Sequence, residues 1–181
     1  MRLECGPCAV RDWAPSDRSA LVRFANNRNI WRNLTDMFPH PYTDADAEWW
    51  FSYLAGMHEP THWAIEVDGL AVGGIGVRLR EGILAKSAEF GYWLAEPFWG
   101  RGIMTAAAKA VSTFALAHFR LIRLDAAVFE GNPASVRVLE KCGFVREGIL
   151  RASAVKDGRI IDRVMYALIA DGGERRGSDP T

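Results

Sequence analysis

The chain has 181 residues, of which 49% are hydrophobic, with 22 basic and 22 acidic side chains; this length suits a single domain with its own core. A net charge of zero leaves no field to hold a polyanion, so nucleic acid is not an expected partner. No apolar run approaches the roughly 18 to 20 residues of a membrane span, Glu4 and Gly6-Pro7 stand where a signal peptide would be apolar, and three cysteines are too few for a secreted disulfide framework; the expectation is a soluble, cytoplasmic protein with free thiols and no membrane partner.

In chain order, Cys5-Gly6-Pro7-Cys8 comes first and spells the CxxC of thioredoxin-like oxidoreductases. A redox CxxC follows a strand and sits at a helix N-terminus, whose dipole lowers the first thiol's pKa. Here no strand is expected before the motif, and Ala9 to Trp13 after it alternates like a half-buried strand. The four residues are therefore read as a turn, not a redox site. Pro15-Ser16-Asp17 starts a helix with Leu21, Val22, Phe24 and Ala25 on its apolar face. The stretch NIWRNLTDMFPHPYT reads as a short helix and a Pro-rich loop, and Thr43 or Asp44 caps a helix running to about Met57.

Strands are expected over 62–67 and 70–79 around an Asp68-Gly69 hairpin turn, and a third over 87–94. From Gly102 to Phe119 apolar residues recur at helical spacing. LIRLDAAVF is a strand and NPASVRVLEKCG a helix, with Asn132 as N-cap, Pro133 at N1 and Gly143 just past its end. Two last strands cover 144–155 and 159–169, and the polar tail at 171–181 is expected to be disordered, leaving one domain over 1–170. The fold class is α/β of the α+β kind: a mixed, mostly antiparallel sheet of about six or seven strands with helices on both faces.

The chemistry concentrates in EFGYWLAEPFWGRGIMTAA. Its Gly100-Arg101-Gly102 turn brings backbone N–H groups to the mouth of a helix, where they and the helix dipole favour a phosphate. A P-loop would need Gly-Lys-Ser/Thr, which is missing; a Rossmann fingerprint would need a third glycine where Thr105 stands, and two consecutive βαβ units where the chain offers one.

Taken with EGNPASVRVLEKCGFVREGILR, that segment resembles the GNAT family of acetyl-CoA-dependent N-acetyltransferases, and within it the Rim-type ribosomal-protein N-terminal acetyltransferases; the likeness in element order runs from Cys8 to about Ala170. The family's pyrophosphate-binding signature, laid on this chain, spans Trp99 to Met104: Gly102 matches, whereas Trp99 and Met104 depart from it. The resemblance implies cofactor contacts at Gly100, Arg101, Gly102, Ile103, Met104 and Thr105. It also implies main-chain pairing of the pantetheine arm at Trp93 and Leu94, and a contact from Asn132 in addition to its capping role. For catalysis it implies Glu89 as base, a main-chain N–H near Leu94 as oxyanion donor and Ser135 as acid. A second acid used by many members would fall at Leu139, and a water-mediated base of the Rim type at Ala154, so neither exists here.

The function implied is enzymatic: acetyl transfer from acetyl-CoA, with no metal, to a primary amine. The acceptor leans to a protein N-terminus, because at pH 7 an α-amine of pKa about 7.8 is roughly a tenth neutral and a lysine amine almost wholly charged. A small-molecule amine is the alternative, a non-catalytic acyl-CoA sensor the reading from another class, and a homodimer is left open. Acceptor contacts are expected from the helical first third, with His40 and Tyr42 on the Pro-rich loop as candidates beside Trp31, Phe38 and Trp49.

Overall fold

The computed structural model describes residues 1–170; the tail expected to be disordered, 171–181, lies outside the described residues. Strands β1 (Arg2–Glu4), β2 (Ala9–Arg11), β3 (His62–Val67), β4 (Leu70–Leu79), β5 (Ser87–Leu94), β6 (Arg123–Phe129), β7 (Val145–Lys156) and β8 (Arg159–Ile169) form one sheet in the order β1-β2-β3-β4-β5-β6-β8-β7. Every neighbouring pair is antiparallel except β5–β6. Helices are α1 (Arg18–Ala25), α2 (Arg28–Trp31), α3 (Asp44–Ala55), α4 (Ile103–His118) and α5 (Pro133–Lys141). None of them is long and apolar enough to cross a membrane.

The eighth strand is a correction to the sequence expectation. Arg2–Glu4 pairs with β2, and Cys5 N–H donates to Cys8 C=O at 2.9 Å, so the CxxC residues are the turn of a hairpin with a strand on each side. Three residues with one partly buried side chain carry no readable period; β1 exists because β2 offers it an edge.

Alternation along the strands divides the interior in two. Phe90 and Leu94 of β5 join Trp63, Met104, Val111 and Leu139 in a core beneath α4 and α5. Trp93, on the other face of β5, packs with Trp13 against Leu21, Ala25, Tyr42 and Ala47 under α1 and α3. β4 is buried from Ala71 to Val77 and must let both layers close on it. A Cβ on Gly74 would lie 2.6 Å from the Trp93 indole nitrogen, and one on Gly73 2.5 Å from the Trp93 carbonyl oxygen, so these glycines are required for Trp93 to sit where it does.

A buried ion pair closes the N-terminal end of the sheet. Asp17, 6% exposed, takes both oxygens to Arg11 at 2.7 and 2.8 Å and accepts Ala14 N–H at 2.9 Å. Burial alone would raise the Asp17 pKa, but the Arg11 hydrogen bonds and charge outweigh it and the net direction is down. Its folded pKa being depressed, the stabilisation is complete above the unfolded carboxyl's pKa of about 4 and is lost as pH falls through the folded value. Thermal melts should therefore be flat from pH 7 to about 5 and decline below about 4. Arg11→Met, which leaves Asp17 buried with only the Ala14 N–H, should melt lower at pH 7 and lose part of the acid decline; parallel acid limbs in the two proteins would refute the assignment.

Candidate functional site

The parallel pair β5–β6 is only three residues long: Ser87, Ala88 and Glu89 match Arg123, Leu124 and Asp125. Beyond it β5 stays on β4, with Tyr92 opposite Ile75 and Leu94 opposite Gly73, while β6 stays on β8 to Phe129. The strands part into a V, and Phe90–Leu94 and Ala126–Phe129 become the walls of a cavity of about 610 Å³. Ala95 N–H donates to Val72 C=O at 2.8 Å, and the alternation of an antiparallel ladder then turns the N–H groups of Tyr92 and Leu94 away from β4 into the gap. The Leu94 carbonyl is taken by the Trp99 indole N–H at 2.7 Å, so Trp99, the departure from the pyrophosphate signature, ties off the end of the splayed strand.

The mouth of the cavity is the start of α4. Gly100 and Gly102 have φ of 73° and 76°, a left-handed region costly for other residues. Gly102 is the N-cap and makes no side-chain cap, and the first turn has no acidic residue. The amides of Ile103, Met104 and Thr105 are thus left for an external anion. A Cβ on either glycine would meet no protein atom within 4 Å; their space faces outward, where a ligand would lie.

The opposite wall comes from α5. Asn132 caps it as expected, its side-chain oxygen accepting Ser135 N–H at 3.2 Å, and both residues line the cavity. Ser135 Oγ lies 2.9 Å from the hydroxyl of Tyr92, a residue sequence reasoning passed over. Burial raises the pKa of that phenol above its ordinary value, which keeps it protonated. Leu139, fully buried, also lines this wall and offers no donor.

A strand that leaves its neighbour to open a cavity, followed by an uncapped helix start, is the architecture implied by the resemblance. A family model described as an acetyltransferase (GNAT) domain matches residues 9–145. The chain belongs to the GNAT family. YdaF of Bacillus subtilis (strain 168), named as a ribosomal N-acetyltransferase, is 38% identical over 84 residues, covering 46% of each chain, and the match spans about half the length of the other first curated relatives too. The spermidine N(1)-acetyltransferase of Vibrio cholerae is 30% identical over 151 residues, 81% of this chain and 87% of that one. Mycobacterium smegmatis RimJ, solved in complex with CoA-disulfide, superposes with a TM-score of 0.82 at 28% identity, covering 98% of this chain and 89% of RimJ.

In this GNAT chain the cavity gathers Glu89, Ser135, Trp93, Leu94, Asn132 and the whole of Gly100–Thr105. Glu89 is the last paired residue before the V opens, and its carboxylate is held by Arg78, its partner across β4. His40 and Tyr42 do not line the cavity. His40 packs on Trp31 with ring centroids 5.7 Å apart and the planes tilted by 33°, and Tyr42 is 6% exposed against Phe38, which in turn packs on Trp93. The loop is clamped from outside by the β7–β8 hairpin, where Lys156 Nζ reaches Asp36 at 2.7 Å and lies 3.8 Å over the Trp31 ring. Its aromatics are therefore packing residues, and the first third instead presents Asn29, Arg32, Asn33 and Thr35 to the cavity. No sequence period marks these four, because they lie on a four-residue helix and the loop after it.

Ala154 sits on β7 opposite Ile161 and does not line the cavity. Among the described residues no group of three or more His, Cys, Asp or Glu side chains could hold a metal ion. Cys5 and Cys8 are free thiols, and burial pushes Cys8 up to about 12 and Cys5 above its usual value, opposite to the shift a redox pair needs.

Proposed function

We propose that this chain is an acetyl-CoA-dependent N-acetyltransferase whose acceptor is the α-amine of a peptide or protein N-terminus. The observation that carries the reading is the V between β5 and β6, which joins the open amides of α4 at one end to a polar pocket at the other. Gly100–Thr105 fit a pyrophosphate through main-chain N–H groups, and Arg101, Arg137 and Lys141 put positive charge on the same cavity. The splayed edge of β5 fits the amide-bearing pantetheine arm as an added strand. Acetyl-CoA supplies the acyl group as a thioester; Leu94 N–H is aimed into the gap where the oxyanion would form, and Ser135 is placed to hydrogen-bond the leaving sulfur.

The acceptor follows from charge. Glu89 is the one acidic side chain among the described residues lining the cavity, and Arg78 neutralises it, whereas Arg32 stands at the acceptor side with Asn29, Asn33 and Thr35. Glu96, near that rim, is engaged by Asn27 and Asn29. A polyamine carries several positive charges and needs carboxylates to hold them, which this lining does not provide. An α-amine of pKa about 7.8 is neutral often enough at pH 7 to react without a strong protein base.

The test is thiol release from acetyl-CoA with short peptides, spermidine and an aminoglycoside as acceptors. Peptide α-amines should react at least about tenfold faster than spermidine, the scale of one unmet charge contact. Preference for spermidine would overturn the acceptor class; tight CoA binding with no turnover on any acceptor would leave an acyl-CoA-binding module.

A further inference from the structure

The Tyr92–Ser135 contact joins the two walls of the cavity across 43 residues of sequence. Tyr92 Oη is 2.9 Å from Ser135 Oγ and 3.3 Å from the Ser135 carbonyl oxygen. Among the described residues the Ser135 hydroxyl has no other hydrogen-bond partner. The nearby Asn132 side chain is spent on Ser135 N–H, and the Cys142 thiol on Thr105 C=O at 3.5 Å.

Each hydroxyl has one proton, so the pair has two arrangements. If Ser135 donates to Tyr92, its proton is turned away from the cavity and Tyr92 is left with the longer bond to the carbonyl. The 2.9 Å contact is a hydrogen bond in both arrangements; if Tyr92 donates to Ser135 Oγ, the bond to the carbonyl is given up and the serine proton is free to point at a ligand. We propose that Tyr92 is a positioning residue that holds the Ser135 hydroxyl as a donor to the sulfur leaving from the thioester. The inference rests on the acetyltransferase reading above. A sulfur gaining negative charge selects the second arrangement, because it accepts the freed serine proton, and burial keeps the phenol protonated so that it is able to donate there.

As the C–N bond forms and the C–S bond breaks, the bonding pair goes to sulfur. Ser135 and Tyr92 donate hydrogen bonds without giving up protons, since a thiolate is a weaker base than an alkoxide or than the phenolate of a tyrosine whose pKa burial has raised. The proton that completes the CoA thiol is the one shed by the amine nitrogen, carried through solvent.

The test is titration of the CoA thiol on the protein, followed by thiolate ultraviolet absorbance, which needs no acceptor. Bound CoA should titrate below free CoA measured under the same conditions. Tyr92→Phe and Ser135→Ala should each raise the bound value by about one pH unit, the worth of one hydrogen bond, and the double variant should raise it no further. Ser135→Thr should keep the wild-type value only when Tyr92 is present. The Kd for CoA at about pH 6, where the thiol is protonated free and bound, should change by less than the Kd at about pH 10, which the shifted pKa requires to weaken by about tenfold more in the variants. A Tyr92→Phe protein that binds CoA with an unshifted thiol overturns the inference alone; a wild-type protein that binds no CoA at high micromolar concentration overturns the acetyltransferase reading as well.

Discussion

Replacing Gly102 by valine is expected to weaken CoA binding on the order of 100-fold, the value of one or two charge-assisted hydrogen bonds between amide and phosphate. Two effects act together. With φ at 76°, a β-branched residue strains the backbone by about 1–2 kcal/mol and tends to unwind the first turn of α4, whose amides are the proposed anchor. The space a side chain would enter holds no protein atom within 4 Å, so the valine meets the ligand rather than the protein. Gly158→Ala is the control: that glycine has φ of 73° in the β7–β8 turn, also with open space around it. It should cost similar stability and leave the Kd unchanged. Thermal melts read the stability and calorimetric titration with CoA the Kd; a Gly102→Val protein whose Kd is within about threefold of wild type would overturn the amide cradle.

The largest stability effect is expected at Trp63, which is 1% exposed on β3 and meets Phe114 of α4 edge-on at 5.7 Å. Trp63→Ala should cost about 3–5 kcal/mol, lowering the melting temperature by about 10 °C or more in a chain of this size. Trp63→Phe should cost far less. The indole nitrogen of Trp63 is buried without a hydrogen-bond partner, so phenylalanine loses ring volume but also removes an unpaired N–H, and the two terms oppose. Equal losses in the two variants, measured by chemical denaturation, would show that the N–H carries no penalty. Because α4 also carries the amides at the cavity mouth, Trp63→Ala should weaken CoA binding at temperatures below its melt, while Trp63→Phe should not.

Much of the site was visible before any coordinates. Gly100 and Gly102 at a strand-to-helix passage, Asn132 before Pro133, and a helical apolar stripe from Ile103 onward are local signals, and each is read from dihedral preference or from period. Thr43 shows the same: its side chain accepts Asp46 N–H while Asp46 answers at the Thr43 backbone, a pattern complete within four residues. Glu89 and Ser135 were reached through family likeness, and the structure places both on the cavity.

Other features had no local signal. SAEFGYWL reads as one strand, and nothing in it says that Ser87 to Glu89 pair with β6 while the next five residues do not. His40 and Tyr42 have the chemistry of substrate contacts, yet the layer of Trp31, Phe38 and Trp93, clamped by Lys156 from the far hairpin, takes them into packing. Tyr92 finds its partner only because α5 lies across the gap from β5. The amino-acid sequence by itself determined the helices, the turns, the two left-handed glycines before α4 and the family, since these depend on φ preferences and on periods that span a few residues. Tertiary structure alone decided the V between β5 and β6, the Tyr92–Ser135 pair and the polar residues that the first third contributes to the cavity. These depend on which distant segments compete for the same backbone edge and the same buried volume, and that competition is resolved only when the layers close.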